Sequence, residues 1–261
     1  MNLLGELASV QPDVGHPVPL FEDDSHGVYW VGISDMTAFR CNVYFIKDGD
    51  EGIVVDPGSR DYFAAVAASI GELMDPADVT GMILCHQDPD VAASMVDWLE
   101  LNPDMKVFTS PRTQVLIPHY GVSGYNFYDT SAAPVYSLPS GQSLEFIDAP
   151  FLHFPGAITT YDTASQFLLS GDIFAALDID WTLMVDDFSE HRAKMDLFHM
   201  DYMASNLAAR GYVRRLDGIE IEGILPQHGS VLKKEFVPLA LDYLENLQCG
   251  TDIIYADLDD R

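Results

Sequence analysis

The chain has 261 residues, 48% of them hydrophobic, enough apolar material to bury a sizeable core, which excludes disorder as its main state. Its 13 Lys and Arg stand against 41 Asp and Glu, a formal charge of −28, and that surplus repels phosphate backbones and anionic headgroups, so nucleic acid and membrane surfaces are excluded as natural partners. Cys41, Cys85 and Cys249 lie far apart with no Cys-x-x-Cys spacing, so neither a disulfide framework nor a thiolate metal cage is expected and a reducing, cytoplasmic setting fits.

The opening MNLLGELASVQPDVG lacks a basic n-region and is interrupted by Glu6 and Gln11, so no secretory leader is expected; no run approaches the roughly 20 apolar residues of a membrane helix. Two β-rich runs follow, Val28 to Ile33 and Cys41 to Lys47, leading through the turn DGDEG into GIVVDPG, a meander closed at Pro57-Gly58. Phe63, Val66, Ala67 and Ile70 recur at helical spacing, and the apolar strand GMILC then breaks at His86. A helix is expected from about Pro89 to Leu101, with Pro89 in the first turn where its missing N–H costs nothing.

In the second half, MKVFTS reads as a strand, PRTQVLIPHY as a short helix, and Gly121 to Thr130 as a loop, either plain surface or an aromatic lid. SLEFIDAPFLHF, ASQFLLSGD and EGILPQH read as strands. MDLFHMDYMASNLAARG reads as one helix ended by Gly211, KKEFVPLALDYLENL as a last one, and TDIIYADLDDR as a frayed end or a packing arm. Strands and helices alternate in both halves without a low-complexity linker, so one α/β domain over 1–261 is expected, with two sheets and helices outside.

One pattern recurs: apolar strands stop at metal-ligating residue types. ILC stops at His86-Gln87-Asp88-Pro89-Asp90, FL at His153, FLLSG at Asp172, and ILPQ at His228. Open α/β architectures present side chains to a shared crevice at strand ends. Histidine with aspartate suits Zn, Mn or Fe, and the absence of cysteine from this set argues against a structural zinc site. Two divalent ions, three aspartates and one bridging hydroxide sum to zero charge, which favours burial. Each residue has an ordinary reading as well: a strand-end histidine is commonly a hydrogen-bonded structural residue, and Asp172 in SGD could be only a helix N-cap.

In this order and spacing, His86-x-Asp88-x-Asp90, a later His, Ser-Gly-Asp and Gln-His-Gly resemble the metallo-β-lactamase fold. The segments FLHFPGAITTYD, LLSGDIFAA and LPQHGS are similar to those of the flavodiiron proteins, which reduce oxygen or nitric oxide. The resemblance covers about residues 28 to 245 and implies an αβ/βα sandwich with two central mixed sheets flanked by helices. Hydrolases of the superfamily show HxHxDH and flavodiiron proteins HxExDH; here Asp88 supplies the carboxylate and Val91 stands where the family has a histidine ligand. The anionic set suits iron.

Carried over residue by residue, the resemblance puts His86, Asp88 and His153 on a first iron, Asp90 and His228 on a second, and Asp172 between them. Val91 then leaves the second iron one nitrogen short, with a coordination position for a diatomic. Tyr202 stands at a position like that of a tyrosine beside the family's metal ligands, or is an ordinary core or surface tyrosine. His199 is expected to be structural, and His16, His26, His119 and His191 are left outside the site. Flavodiiron enzymes carry a flavodoxin-like domain after the diiron domain, whereas this sequence ends at Arg261, so no flavin is expected in this chain. It therefore resembles the stand-alone oxygen-binding diiron proteins, associated with oxygen sensing in chemotaxis. That implies two Fe ions, with Mn or Zn as alternatives; dioxygen or nitric oxide as ligand; and a chemotaxis or signalling protein, or a separate electron donor, as partner, with homodimerisation left open. The rival functions are an oxygen or nitric oxide reductase fed by a separate donor, and a dinuclear metal hydrolase.

Overall fold

The computed structural model describes residues 1–7, 15–33 and 38–258. The expectation for the opening fifteen residues therefore lies partly outside the described residues, as do the last three positions of the tail.

The strands are Val18–Glu22 (β1), His26–Ile33 (β2), Asn42–Asp48 (β3), Glu51–Val55 (β4), Gly81–Ile83 (β5), Lys106–Thr109 (β6), Asn126–Asp129 (β7), Val135–Ser137 (β8), Ser143–Asp148 (β9), Ile158–Asp162 (β10), Phe167–Gly171 (β11), Gly223–Pro226 (β12) and Leu232–Lys233 (β13). The helices are Phe63–Ile70 (α1), Pro89–Ala92 (α2), Met95–Leu101 (α3), Pro111–Gln114 (α4), Phe188–Tyr202 (α5), Asn206–Val213 (α6), Val237–Glu245 (α7) and Thr251–Ile254 (α8). β1 to β7 form one sheet in sequence order, antiparallel as far as β4 and parallel beyond it. The second sheet runs β13-β12-β11-β10-β9-β8, with β11 and β12 its parallel pair. Both sheets are mixed, as expected.

The strand pleat sorts side chains into layers. On β3 and β4, Tyr44, Ile46, Ile53 and Val55 point between the sheets, where they meet Leu144, Phe146, Ile158, Phe167 and Leu225 of the second sheet. The alternate residues Val43, Phe45 and Val54 point outward onto Val66, Ile70, Met95 and Trp98 of the helices. On the far side, Leu168 and Ile224 pack against Met195, Phe198, Tyr212 and Leu244. Helices thus cover both outer faces of two packed sheets. Among the described residues, no helix is long and apolar enough to cross a membrane.

Several element boundaries differ from the sequence reading. The helix expected over 89–101 is two pieces, α2 and α3. The one expected to end at Gly211 is α5 and α6, because Ser205 caps a new start by accepting from the Ala208 N–H, and Gly211 lies inside α6. The strand containing SLEFID stops at Asp148, leaving His153 in the loop before β10. β1 and β8 were not anticipated. Asn126–Asp129 pairs with β6 as an edge strand, and Tyr128 stacks against Phe108 and Tyr136, so this part of the expected loop belongs to the sheet. The tail begins with α8.

Candidate metal centre

The ligand-bearing segments leave both sheets at one end. His86 follows β5, and Asp88 and Asp90 open α2. Asp88 sits at the N-cap with extended backbone, yet its carboxylate makes no cap hydrogen bond, which leaves it facing the crevice. Asp172 follows β11; no helix starts there, so the capping alternative does not hold. His228 follows β12, and Gly229 turns the chain away with φ of +88°, where a Cβ would lie 2.8 Å from the Ala176 Cβ. Only glycine fits there without movement.

These side chains meet. His86 Nε2 is 3.1 Å and His153 Nε2 2.9 Å from Asp172 Oδ2, and Asp88 Oδ2 lies 3.5 and 3.4 Å from the same two nitrogens. On the other side, His228 Nε2 is 3.6 Å from Asp172 Oδ1 and 3.3 Å from Asp90 Oδ2. The two oxygens of Asp172 therefore face two groups. His86, Asp88 and His153 form one, and Asp90, His228 and Cys41 form the other, each offering donor atoms within 4.8 Å of one another. Cys41 corrects the expectation that no cysteine belongs to the set. Val91 is wholly buried and packs in the apolar cluster outside the first sheet.

The donor set fits metal ions on its own evidence. His86 Nε2 and Asp172 Oδ1 are buried without a hydrogen-bond partner, a costly arrangement unless a cation satisfies both. Burial penalises the Asp172 carboxylate most, but the charges and contacts of His86, His153 and His228 hold it well below the usual range. His153 has the opposite problem: burial disfavours its charge, yet Asp172 and Asp88 raise it to about 9.

An outer layer fixes the ligands. The His228 ring donates Nδ1–H to the Arg40 carbonyl at 2.9 Å, presenting Nε2 to the centre. His86 Nδ1 lies 3.0 Å from the Cys85 Sγ, and the Cys85 N–H donates to Asp56 Oδ1 at 2.8 Å. Burial pushes Asp56 up to about 6. His199 on α5 donates to the Met195 carbonyl and accepts the Phe174 N–H at 3.0 Å, so it is neutral and holds the loop that carries Asp172; burial lowers it to about 4. Asp56 escaped the sequence reading although VVD is another apolar strand stopped by a carboxylate. Cys41 carried no such signal, since it precedes its strand.

Tyr202 is 47% exposed. Its ring stacks on Phe198 at 4.7 Å and meets His153 edge-on at 5.9 Å, while Phe39 meets both Tyr202 and His228 edge-on. These rings border the centre. Tyr120 adds a hydroxyl donated to the Gln87 carbonyl at 2.6 Å, and the Gln87 amide holds Asp88 Oδ1 at 2.7 Å.

Comparison with known proteins agrees with this geometry. The family described as ODP family beta lactamase matches residues 39–229. The chain belongs to the ODP family. The peroxy diiron species of the chemotaxis sensor ODP superposes with a TM-score of 0.82 at 32% identity, covering 92% of this chain and 99% of that one. The apo state of the ODP sensor from T. denticola gives 0.83 at 33%, covering 92% and 98%. A nitric oxide reductase of Moorella thermoacetica is 27% identical over 80% of this chain and 57% of its own length. For a diflavin flavoprotein of Synechocystis sp. the identity is 26%, with 77% and 35% covered. The ODP-family chain thus spans about half or less of the length of these two curated relatives. The flavodiiron protein of Thermotoga maritima, 17% identical with a TM-score of 0.75, shares the fold.

Proposed function

We propose that the protein is a diiron protein that binds dioxygen and reports it, acting as an oxygen sensor; the coarser reading, a diiron role in binding oxygen or reducing oxygen or nitric oxide, is supported by the ODP and flavodiiron relatives. The observation that carries it is Asp172, with one buried oxygen turned to each of two donor groups. His86, Asp88 and His153 would hold one iron, Asp90 and His228 the other, with Asp172 shared. Iron bound there would supply electrons to a diatomic ligand.

The chain's own residues set the conditions. Three aspartates offset the charge of two divalent ions in a largely buried pocket. The Nδ1 contact of His228 keeps its metal-facing nitrogen deprotonated and aimed. Phe198 and Phe39 exclude water from one side, and Tyr202 is placed beside His153 where its hydroxyl can hold a proton at the open edge. A sensor needs few turnovers, and a chemotaxis protein is then its partner class.

The test is anaerobic loading with Fe(II), metal analysis, and exposure to air. The expected result is two irons per chain, a new visible absorption on aeration, and few turnovers with a generic reductase pair and either gas. Sustained turnover would move the assignment to a reductase. Two bound irons that leave the spectrum unchanged in air would overturn oxygen binding.

A further inference from the structure

We infer that Cys41 is the third protein donor to the second metal position, making that ion thiolate-ligated where the first is not. This rests on the two-metal reading above. The Cys41 Sγ lies 3.6 Å from Asp90 Oδ2 and 4.0 Å from His228 Nδ1, and the thiol, an Asp90 oxygen and a His228 nitrogen all come within 4.8 Å of one another. The cysteine does not stand alone there. Asp172 Oδ1, on a side chain only 4% exposed, has no hydrogen-bond partner and is turned toward His228 Nε2 at 3.6 Å.

The backbone holds Cys41 in place. It forms an antiparallel bridge with His228, the Asn42 N–H donates to the Gln227 carbonyl at 2.6 Å, and the Asn42 amide reaches the carbonyls of Pro226 and Gly229. The start of β3 is thereby stitched to the segment carrying His228, so thiol and imidazole share one rigid frame. Meanwhile Val91, the neighbour of Asp90, offers no donor and is committed to the apolar core. A thiol at this spot gives the Asp90 group the three protein donors that the His86 group already has.

The charges agree. Two divalent ions are neutralised by Asp88, Asp90, Asp172 and one thiolate without any further anion. Binding breaks the S–H bond and forms the metal–sulfur bond; the proton leaves to solvent and no electrons are transferred. A thiolate donor on one ion alone also makes the two positions inequivalent, so the second should prefer softer ions than the first.

The test is titration of the metal-free full chain with Co(II), following metal per chain and near-ultraviolet absorption. Two cobalt ions should bind, with a thiolate-to-cobalt charge-transfer band in the wild type, in Cys249→Ser and in Cys85→Ala. In Cys41→Ser the band should vanish and the second equivalent should bind at least about tenfold more weakly. Should Cys41→Ser not fold, X-ray absorption of the wild type loaded with zinc decides alone, through a sulfur neighbour at about 2.3 Å. Two bound metals with no sulfur signal would overturn the inference and leave the two-metal centre standing, as would a band that survives in Cys41→Ser. Failure to bind a pair of ions at all would overturn the two-metal reading and this inference with it.

Discussion

Asp172 shows how much one side chain can be asked to do. It is the one residue with an oxygen toward each donor group, so Asp172→Asn should cost at least about tenfold in affinity for the pair, read as metal retained per chain after dialysis. Tyr202→Phe makes the opposite prediction. The ring stack on Phe198 survives, so metal content stays at the wild-type level while the rate of the response to oxygen changes; an unchanged rate would reduce Tyr202 to a packing residue. At this scale the sequence was informative where a ligand type directly followed an apolar run, as with His86, Asp172 and His228. It was silent on Cys41, because a small buried cysteine at the start of a strand looks like core, and only the pairing of β3 with a segment far along the chain brings it to the centre.

Elements deliver those residues, and their boundaries were harder to read than their existence. The split between α5 and α6 depends on the Ser205 cap, which an uninterrupted helical spacing conceals. His153 was credited to a strand that stops at Asp148, because apolar Phe151 and Leu152 extend the β-like run. α5 matters most to the centre through His199, whose Nε2 takes the Phe174 N–H behind Asp172. His199→Leu leaves that buried donor unpaired, which costs about 1–3 kcal/mol, and should weaken metal binding about 10–100-fold by loosening the loop. Urea unfolding and metal titration check both. His199→Gln, able to accept the same hydrogen bond, should recover part of the loss.

For the whole molecule, the two-sheet sandwich was legible from alternation and from the resemblance, but not the way the sheets are clasped. His86, Asp88 and Asp90 come from the first sheet's side and His153, Asp172 and His228 from the second's, so bound ions would tie the sheets at one end. We propose that the chain folds as one domain, with a single thermal transition whose Tm falls on chelation; metal at about 100 times its Kd adds about 2.7 kcal/mol. At the other end His26 bridges Asp48 of β3 at 2.8 Å and Asp162 of β10 at 3.0 Å, all buried. The sequence reading left this histidine in a polar loop. Burial disfavours its charged form most, but the contacts with Asp162 and Asp48 outweigh burial and raise it above the ordinary value of 6.5. Because the folded value is the higher, this stabilisation is complete below about pH 6.5 and is lost as pH rises through the folded value. His26→Leu should cost about 3–5 kcal/mol at low pH by stranding two buried carboxylates. Its Tm deficit against the wild type should shrink as the pH is raised above 6.5.

The open edge of the centre has a consequence for what can arrive there. Asp88 and Asp90 are its half-exposed side chains, 34% and 38% accessible, in a chain carrying −28, while the flanking surface is the rings of Phe39 and Tyr202. A small uncharged gas crosses such a threshold freely. Nitrite, superoxide or a phosphate ester meets an opposing field well before contact, and its arrival quickens as added salt shortens the reach of that field. Selection at this doorway is thus made first on the visitor's charge, and rates for neutral and anionic ligands should diverge most at low ionic strength.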